Sequence, residues 1–254
     1  MMNMTPVVKQ LLIINIIIFI GAQIVPISYE YLSLFFPESP NFKIWQPITH
    51  MFMHAPMDRG GIMHIAFNMI AMVSFGSALE HFWGGKKFLF FYISCGLGSA
   101  LLHIVVNYYS FQETMNILIS NGYQKTYILD LLRQEKIDTR WQELISVSQF
   151  NNFTGAYIGT VVGASGAVYG LLTAFAFMFP NAELALMFIP IPIKAKYFVP
   201  GLLAIDLFLG FKGSSIFGAG GTGIAHFAHI GGALTGFLMM LYWKKNQFNK
   251  NRWN

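Results

Sequence analysis

Six apolar stretches separated by polar connections organise this chain. They cover residues 7–25, 62–79, 88–109, 157–179, 197–211 and 224–243, and their composition suits helices surrounded by lipid or by other helices. The pattern predicts an all-α fold, a polytopic transmembrane helical bundle of six spans, with residues 1–254 forming a single membrane domain. A cleaved signal peptide competes for the first stretch. The run is long for that purpose, and Gly21-Ala22-Gln23 is a poor small-x-small cleavage site. The fifth stretch is short, carries Asp206, and has Pro200 and Gly201 near its start.

Two connections stand apart. Residues 110–153 form a long external insertion, in which Ile128, Leu131, Leu132, Trp141, Leu144 and Ile145 recur at helical spacing among charges over 127–147. That pattern fits an amphipathic helix on the membrane surface, and equally a helix packed on the loop's own residues. The glycine-rich segment 213–223, after the short fifth stretch, reads either as part of a lateral gate or cap, or as a flexible connection.

Composition agrees with a membrane protein. Charged residues make up 11% of the chain and hydrophobic residues 55%, against about 25% charged in soluble domains. The net charge of +5 is scattered between apolar runs, with no aromatic-interleaved basic stripe, which argues against nucleic acid as a partner. With six spans the termini share a side, together with Lys9, Lys86, Lys87, Lys194, Lys196, Lys244, Lys245, Lys250 and Arg252. The short loops of the other side hold only Lys43, Arg59 and Lys212. The positive-inside rule therefore places both termini in the cytoplasm, and a compact chain of this kind fits a bacterial inner (plasma) membrane. Cys95 is the single cysteine, so neither an intramolecular disulfide nor a thiolate metal cluster is expected.

Polar groups inside such spans mark function or specific pairing. Ser165, in Gly163-Ala164-Ser165-Gly166, and His229, in Ala228-His229-Ile230-Gly231-Gly232-Ala233, lie near the starts of the fourth and sixth stretches. They should reach similar depth on the same side. Imidazole can take the proton that makes a hydroxyl nucleophilic, so the pair fits nucleophilic catalysis. Gly159 with Gly163, Gly166 with Gly170, and Gly232 with Gly236 have the four-residue spacing of close helix contacts. His64 and Asn68 share a face of the second stretch and begin at the same side. They are candidate donors to an oxyanion, to which backbone N–H groups near Ser165 would add.

Taken together, these three motifs resemble the rhomboid family of intramembrane serine proteases over nearly the whole chain. The resemblance implies a six-span fold, with Ser165 as nucleophile and His229 as general base of a dyad without a third acid. It assigns His64, Asn68 and the Ser165 backbone to the oxyanion site, and it packs Tyr169 against the His229 ring. It further implies an endopeptidase that cleaves single-span membrane proteins near their outer membrane boundary, using water, no cofactor and no metal. The bilayer and transmembrane substrates are then the expected partners.

Some features depart from the family pattern. Where the family commonly has Trp-Arg in its first external loop, this chain has Trp45-Gln46. The stretch 55–63 looks longer than in common bacterial members. Asp206 suits a helix-contact or hydrogen-bonding role better than a catalytic one. His226 and His229, with His50 and His54, raise a rival metal transporter or metal-dependent membrane enzyme, against which stands the lack of a His-Glu-x-x-His element. A non-cleaving chaperone on the same scaffold is a third class, and the intact Ser–His pair argues against it.

Overall fold

The computed structural model describes residues 4–186, 189–212 and 224–247. The segment 213–223, expected as a gate or a connection, lies outside the described residues, as do Lys250 and Arg252. The first helix, α1 (Pro6–Ile24), opens with proline where a missing N–H costs nothing. Val8, Leu11, Asn15, Phe19 and Ala22 form its buried stripe, while Ile17, Ile20 and Ile24 face outward. Outward isoleucines are expected when the solvent is lipid. Glu80 holds its start in place: the carboxylate accepts from the Val7 and Val8 N–H groups at 2.9 and 2.8 Å and from the Thr5 hydroxyl at 2.5 Å.

A loop follows with two short helices, α2 (Ser28–Leu32) and α3 (Gln46–Thr49), and 3-10 turns at His50–Phe52 and Met57–Arg59. The next helical rod comprises α4 (Gly61–Ala71), a π-helical turn (Met72–Gly76) and α5 (Ser77–Trp83). Then α6 (Gly85–Ser120) runs for 36 residues. At 1.5 Å per residue that is about 54 Å, far more than the roughly 30 Å of bilayer hydrocarbon. Its far end therefore projects beyond the membrane.

On that projection the chain builds a second core. α7 (Lys125–Arg133), a 3-10 turn (Thr139–Glu143) and α8 (Val147–Ile158) pack Ile128, Leu132, Trp141, Ile145, Phe150 and Phe153 against Phe111, Met115 and Leu118 of α6. Ile128, Leu132, Trp141 and Ile145 thus pack on the loop's own residues, with Leu131 partly buried beside them and Leu144 left exposed, in two helical pieces rather than one continuous helix.

The fourth apolar stretch also divides. α8 ends at Ile158, and α9 (Ser165–Met178) begins only at the serine. Gly159 is a cap in extended conformation, and Gly163 adopts φ +128°. Gly159 and Gly163 therefore form no helix face, contrary to the four-residue spacing. After α9 comes a hairpin that the apolar pattern concealed, β1 (Glu183–Leu186) antiparallel to β2 (Ile189–Lys194). Pro190 and Pro192 exclude helix there and suit a two-stranded edge. α10 (Ala195–Lys212) has Pro200 inside it, and α11 (Ile224–Gln247) packs against both α6 and α9.

Among the described residues, three helices, Pro6–Ile24, Gly61–Trp83 and Gly85–Ser120, are long and apolar enough to cross a membrane, and Ser165–Met178 is a shorter apolar helix. The main core lies where α1, the α4–α5 rod, α6, α9 and α11 meet, around Met72, Phe88, Phe91, Tyr92 and Leu171.

Candidate active site

α9 starts at Ser165 because the turn before it allows no earlier helix. The left-handed φ of Gly163 favours glycine, and a Cβ there would stand 2.8 Å from the His64 Nε2. The Gly163 N–H is tied to the His50 carbonyl at 2.9 Å. Ser165 is thereby fixed as the first helical residue. Its own N–H belongs to the first turn, whose donors lack intrahelical acceptors.

α11 approaches α9 closely enough to deliver a histidine. A Cβ on Gly232 would collide with the Gly166 carbonyl oxygen, and one on Gly236 would meet the Gly170 oxygen at 2.9 Å. On its other side α11 presses on α6, where Gly231 leaves room for the Gly98 carbonyl and Leu102. The result is a separation of 2.9 Å between Ser165 Oγ and His229 Nε2. Tyr169, one turn beyond the serine, stacks on the imidazole with centroids 4.2 Å apart and planes inclined by 10°.

His64 stands in the first turns of α4, across from the serine turn. The Ala55 N–H donates to His64 Nδ1 at 3.3 Å, which leaves the ring proton on Nε2, the atom facing Gly163. An Nε2–H donor beside the serine is what an oxyanion requires. Asn68 is buried and donates its amide to the His64 carbonyl at 2.9 Å, so one of its two amide hydrogens is committed to its own helix. The Ala55 contact was invisible in sequence, because it comes from a backbone group in the long 55–63 stretch.

Gln46, which stands where arginine is common in the family, is fully buried. Its Oε1 accepts from the Lys43 and Phe35 N–H groups at 3.1 and 3.3 Å, and its Nε2 donates to the Asn41 carbonyl at 2.9 Å. The amide stitches the first loop together.

Asp206, on α10, also reaches the site. Its Oδ1 hydrogen bonds to His226 Nδ1 and lies 3.4 Å from His229 Nδ1. These three residues offer ligand atoms within 4.8 Å of one another. Two imidazoles and a carboxylate suit zinc chemically. The same contacts are those of hydrogen-bonded carboxylate–imidazole pairs. His50 and His54 do not join this group: His50 bonds to the Gln46 carbonyl, and the His54 ring lies against His64 and Phe19.

Comparison with known proteins gives these motifs a context. A family model for the rhomboid domain matches residues 41–129 and 134–246. Rhomboid protein 1, mitochondrial, of Saccharomyces cerevisiae is 24% identical over 187 residues, which cover 72% of this chain and 38% of that protein. Rhomboid protease GluP of Bacillus subtilis is 32% identical over 65 residues, 26% of this chain and 12% of GluP. Presenilin-associated rhomboid-like protein, mitochondrial, of Rattus norvegicus is 29% identical over 136 residues, 48% of this chain and 33% of the rat protein. The chain thus spans about two fifths or less of the curated relatives it matches. The yeast and rat relatives are mitochondrial by name, and this overturns the expectation of a bacterial plasma membrane with cytoplasmic termini.

Proposed function

The chain belongs to the rhomboid family, whose members are generally intramembrane serine proteases, and from that premise we propose that it is an intramembrane serine endopeptidase acting through Ser165 and His229. The observation that carries the proposal is the 2.9 Å contact between Ser165 Oγ and His229 Nε2. In this reading Nε2 takes the hydroxyl proton as Oγ attacks the scissile carbonyl, then returns it to the leaving amine. Water, activated by the same nitrogen, releases the acyl chain. The negative oxygen of the tetrahedral intermediate faces His64 Nε2–H, the Ser165 N–H and the Asn68 amide. Tyr169 keeps the imidazole in plane.

The membrane setting of the proposal is six spans in one domain carrying a helical insertion at about 110–153, with α9, α10 and α11 as the last three. The 14 residues of α9 amount to about 21 Å, against roughly 30 Å of hydrocarbon. If Met178 lies near one interface, Ser165 lies below the other. That depth suits hydrolysis of single-span membrane proteins close to the boundary on the side away from most of the basic residues.

A serine-reactive phosphonate tests this reading directly. It should label the wild-type protein and leave Ser165→Ala and His229→Ala unlabelled. Labelling that persists in Ser165→Ala would remove the serine from its role.

A further inference from the structure

We infer that Asp206 is a positioning acid for His229, so that the site runs as a Ser165–His229–Asp206 relay; the inference rests on the protease reading above.

An imidazole can serve as base only if the nitrogen facing the serine carries a lone pair. A histidine held by stacking alone can place its proton on either nitrogen, and with Nε2–H toward Ser165 it would donate instead of accept. The Asp206 Oδ1, 3.4 Å from Nδ1 on the opposite edge of the ring, selects the productive form, in which Nδ1 holds the proton and Nε2 is free. Tyr169 fixes the plane of the ring, and Asp206 fixes which edge is protonated. The separation is long for an N–H···O bond at rest. As His229 becomes imidazolium both partners of the contact carry charge, and ion-paired hydrogen bonds of this kind are shorter and stronger. The serine proton goes to Nε2 and then to the leaving amine, and the carboxylate stays ionised throughout.

His226 holds the acid in place. It sits three residues before His229 on α11, with its ring centroid 6.2 Å from that of His229 and its plane inclined by 88°. Its Nδ1 bonds to the same Oδ1. Asp206 is the only acid in the α10 sequence and is 5% exposed, and its Oδ2 has no hydrogen-bond partner among the described residues. The Tyr169 hydroxyl also interacts with this carboxylate, yet a buried carboxylate is a costly way to link two helices. An amide would link them at less cost, whereas only the negative charge stabilises an imidazolium. The titratable groups facing His229 are Asp206 from α10, His226 from its own helix, Tyr169 from α9 and, through space, His64 from α4.

The experiment uses the full chain in detergent, with a transmembrane substrate, and compares wild type, Asp206→Asn, Asp206→Glu and Ser165→Ala. Asp206→Asn should lower kcat by 100-fold or more with KM changed less than threefold, and should move the acid limb of the kcat/KM profile. Asp206→Glu should recover part of the rate. A folded Asp206→Asn with kcat within threefold of wild type and an unmoved limb would overturn the proposal. If Asp206→Asn does not fold, nitrogen-15 histidine spectra of the wild type decide: the His229 signal, assigned by its loss in His229→Gln, should report protonated Nδ1 and bare Nε2. The opposite tautomer would overturn the proposal. Cleavage that survives Ser165→Ala would sink the protease reading instead, a separate outcome from full activity of Asp206→Asn alone.

Discussion

The Tyr169 ring lies flat on the His229 imidazole, 4.2 Å between centroids. Aromatic stacking of this kind is worth about 1 kcal/mol, or roughly a fivefold preference for one ring orientation. Tyr169→Ala should therefore lower kcat about 3- to 10-fold while leaving KM nearly unchanged. Tyr169→Phe keeps the stack and should stay within about threefold of wild type. Steady-state cleavage by the two variants checks this, and equal losses would mean that stacking is not what the tyrosine supplies.

Close approach of α9 and α11 makes the Ser–His contact possible. At Gly232 an added methyl meets the Gly166 carbonyl, a backbone atom that cannot swing aside. Gly232→Ala should push α11 away, cutting activity by about 100-fold or more, since small misplacements at the chemistry are costly. Gly201→Ala, on α10 with nothing within 4 Å of the new methyl, should leave activity intact and stabilise slightly, by up to about 1 kcal/mol. Activity and thermal unfolding of both variants in one detergent provide the comparison.

The Ser165–His229 pairing was legible because small residues at fixed spacing and two polar residues at matching helix starts constrain one another. The start of α9 was less legible. Gly159 and Gly163 repeat the spacing of a helix face, and only the φ of Gly163 shows that the chain there is a turn. The same limit hid the hairpin at 183–194, since an apolar run gives no periodicity to separate strand from helix. Asp206 was visible as an expensive acid. Its meeting with His229 depends on how α10 and α11 pack, which no local pattern encodes.

Gln46 occupies the centre of the first loop, where its amide serves four backbone groups at 3.3 Å or less, the N–H groups of Phe35 and Lys43 and the carbonyls of Asn41 and Glu30. Gln46→Ala would leave buried N–H and carbonyl groups unpaired, at about 1–3 kcal/mol each when water cannot replace the partner. The expected result is a lower unfolding temperature and faster amide exchange over residues 30–46. Gln46→Glu can still accept from Phe35 and Lys43 but cannot donate to Asn41, so its loss should be intermediate at neutral pH.

The two oxyanion candidates should differ in weight. His64 has its Nε2 proton fixed by Ala55 and directed at the serine turn, so His64→Ala should lower kcat by about 100- to 1000-fold, the cost of one lost oxyanion donor. Asn68 already shares its amide with the His64 carbonyl. Asn68→Ala should cost less, about tenfold, and part of that through a loosened His64. Single-turnover rates separate these effects from product release, and an unchanged rate in His64→Ala would exclude the ring from the oxyanion site.

Acid should loosen the serine turn through the first loop. Burial pushes His50 down to about 4, partly offset by hydrogen bonds to the Gln46 and Pro47 carbonyls, and burial followed by the charge of His64 pushes His54 down to about 3. Both groups are neutral when folded and bind protons more readily when exposed, so their contribution to stability is complete above pH 6.5. It declines as pH falls from 6.5 toward 4, by about 3 kcal/mol for His50 across its shift. Because the His50 carbonyl holds the Gly163 N–H, melting of this loop should release Ser165 as well. Thermal unfolding and phosphonate labelling at pH 7, 5.5 and 4.5 should fall together in the wild type. His50→Asn keeps an amide donor for the Gln46 carbonyl without a titrating ring, and should flatten the decline; an identical fall in that variant would place the acid sensitivity elsewhere.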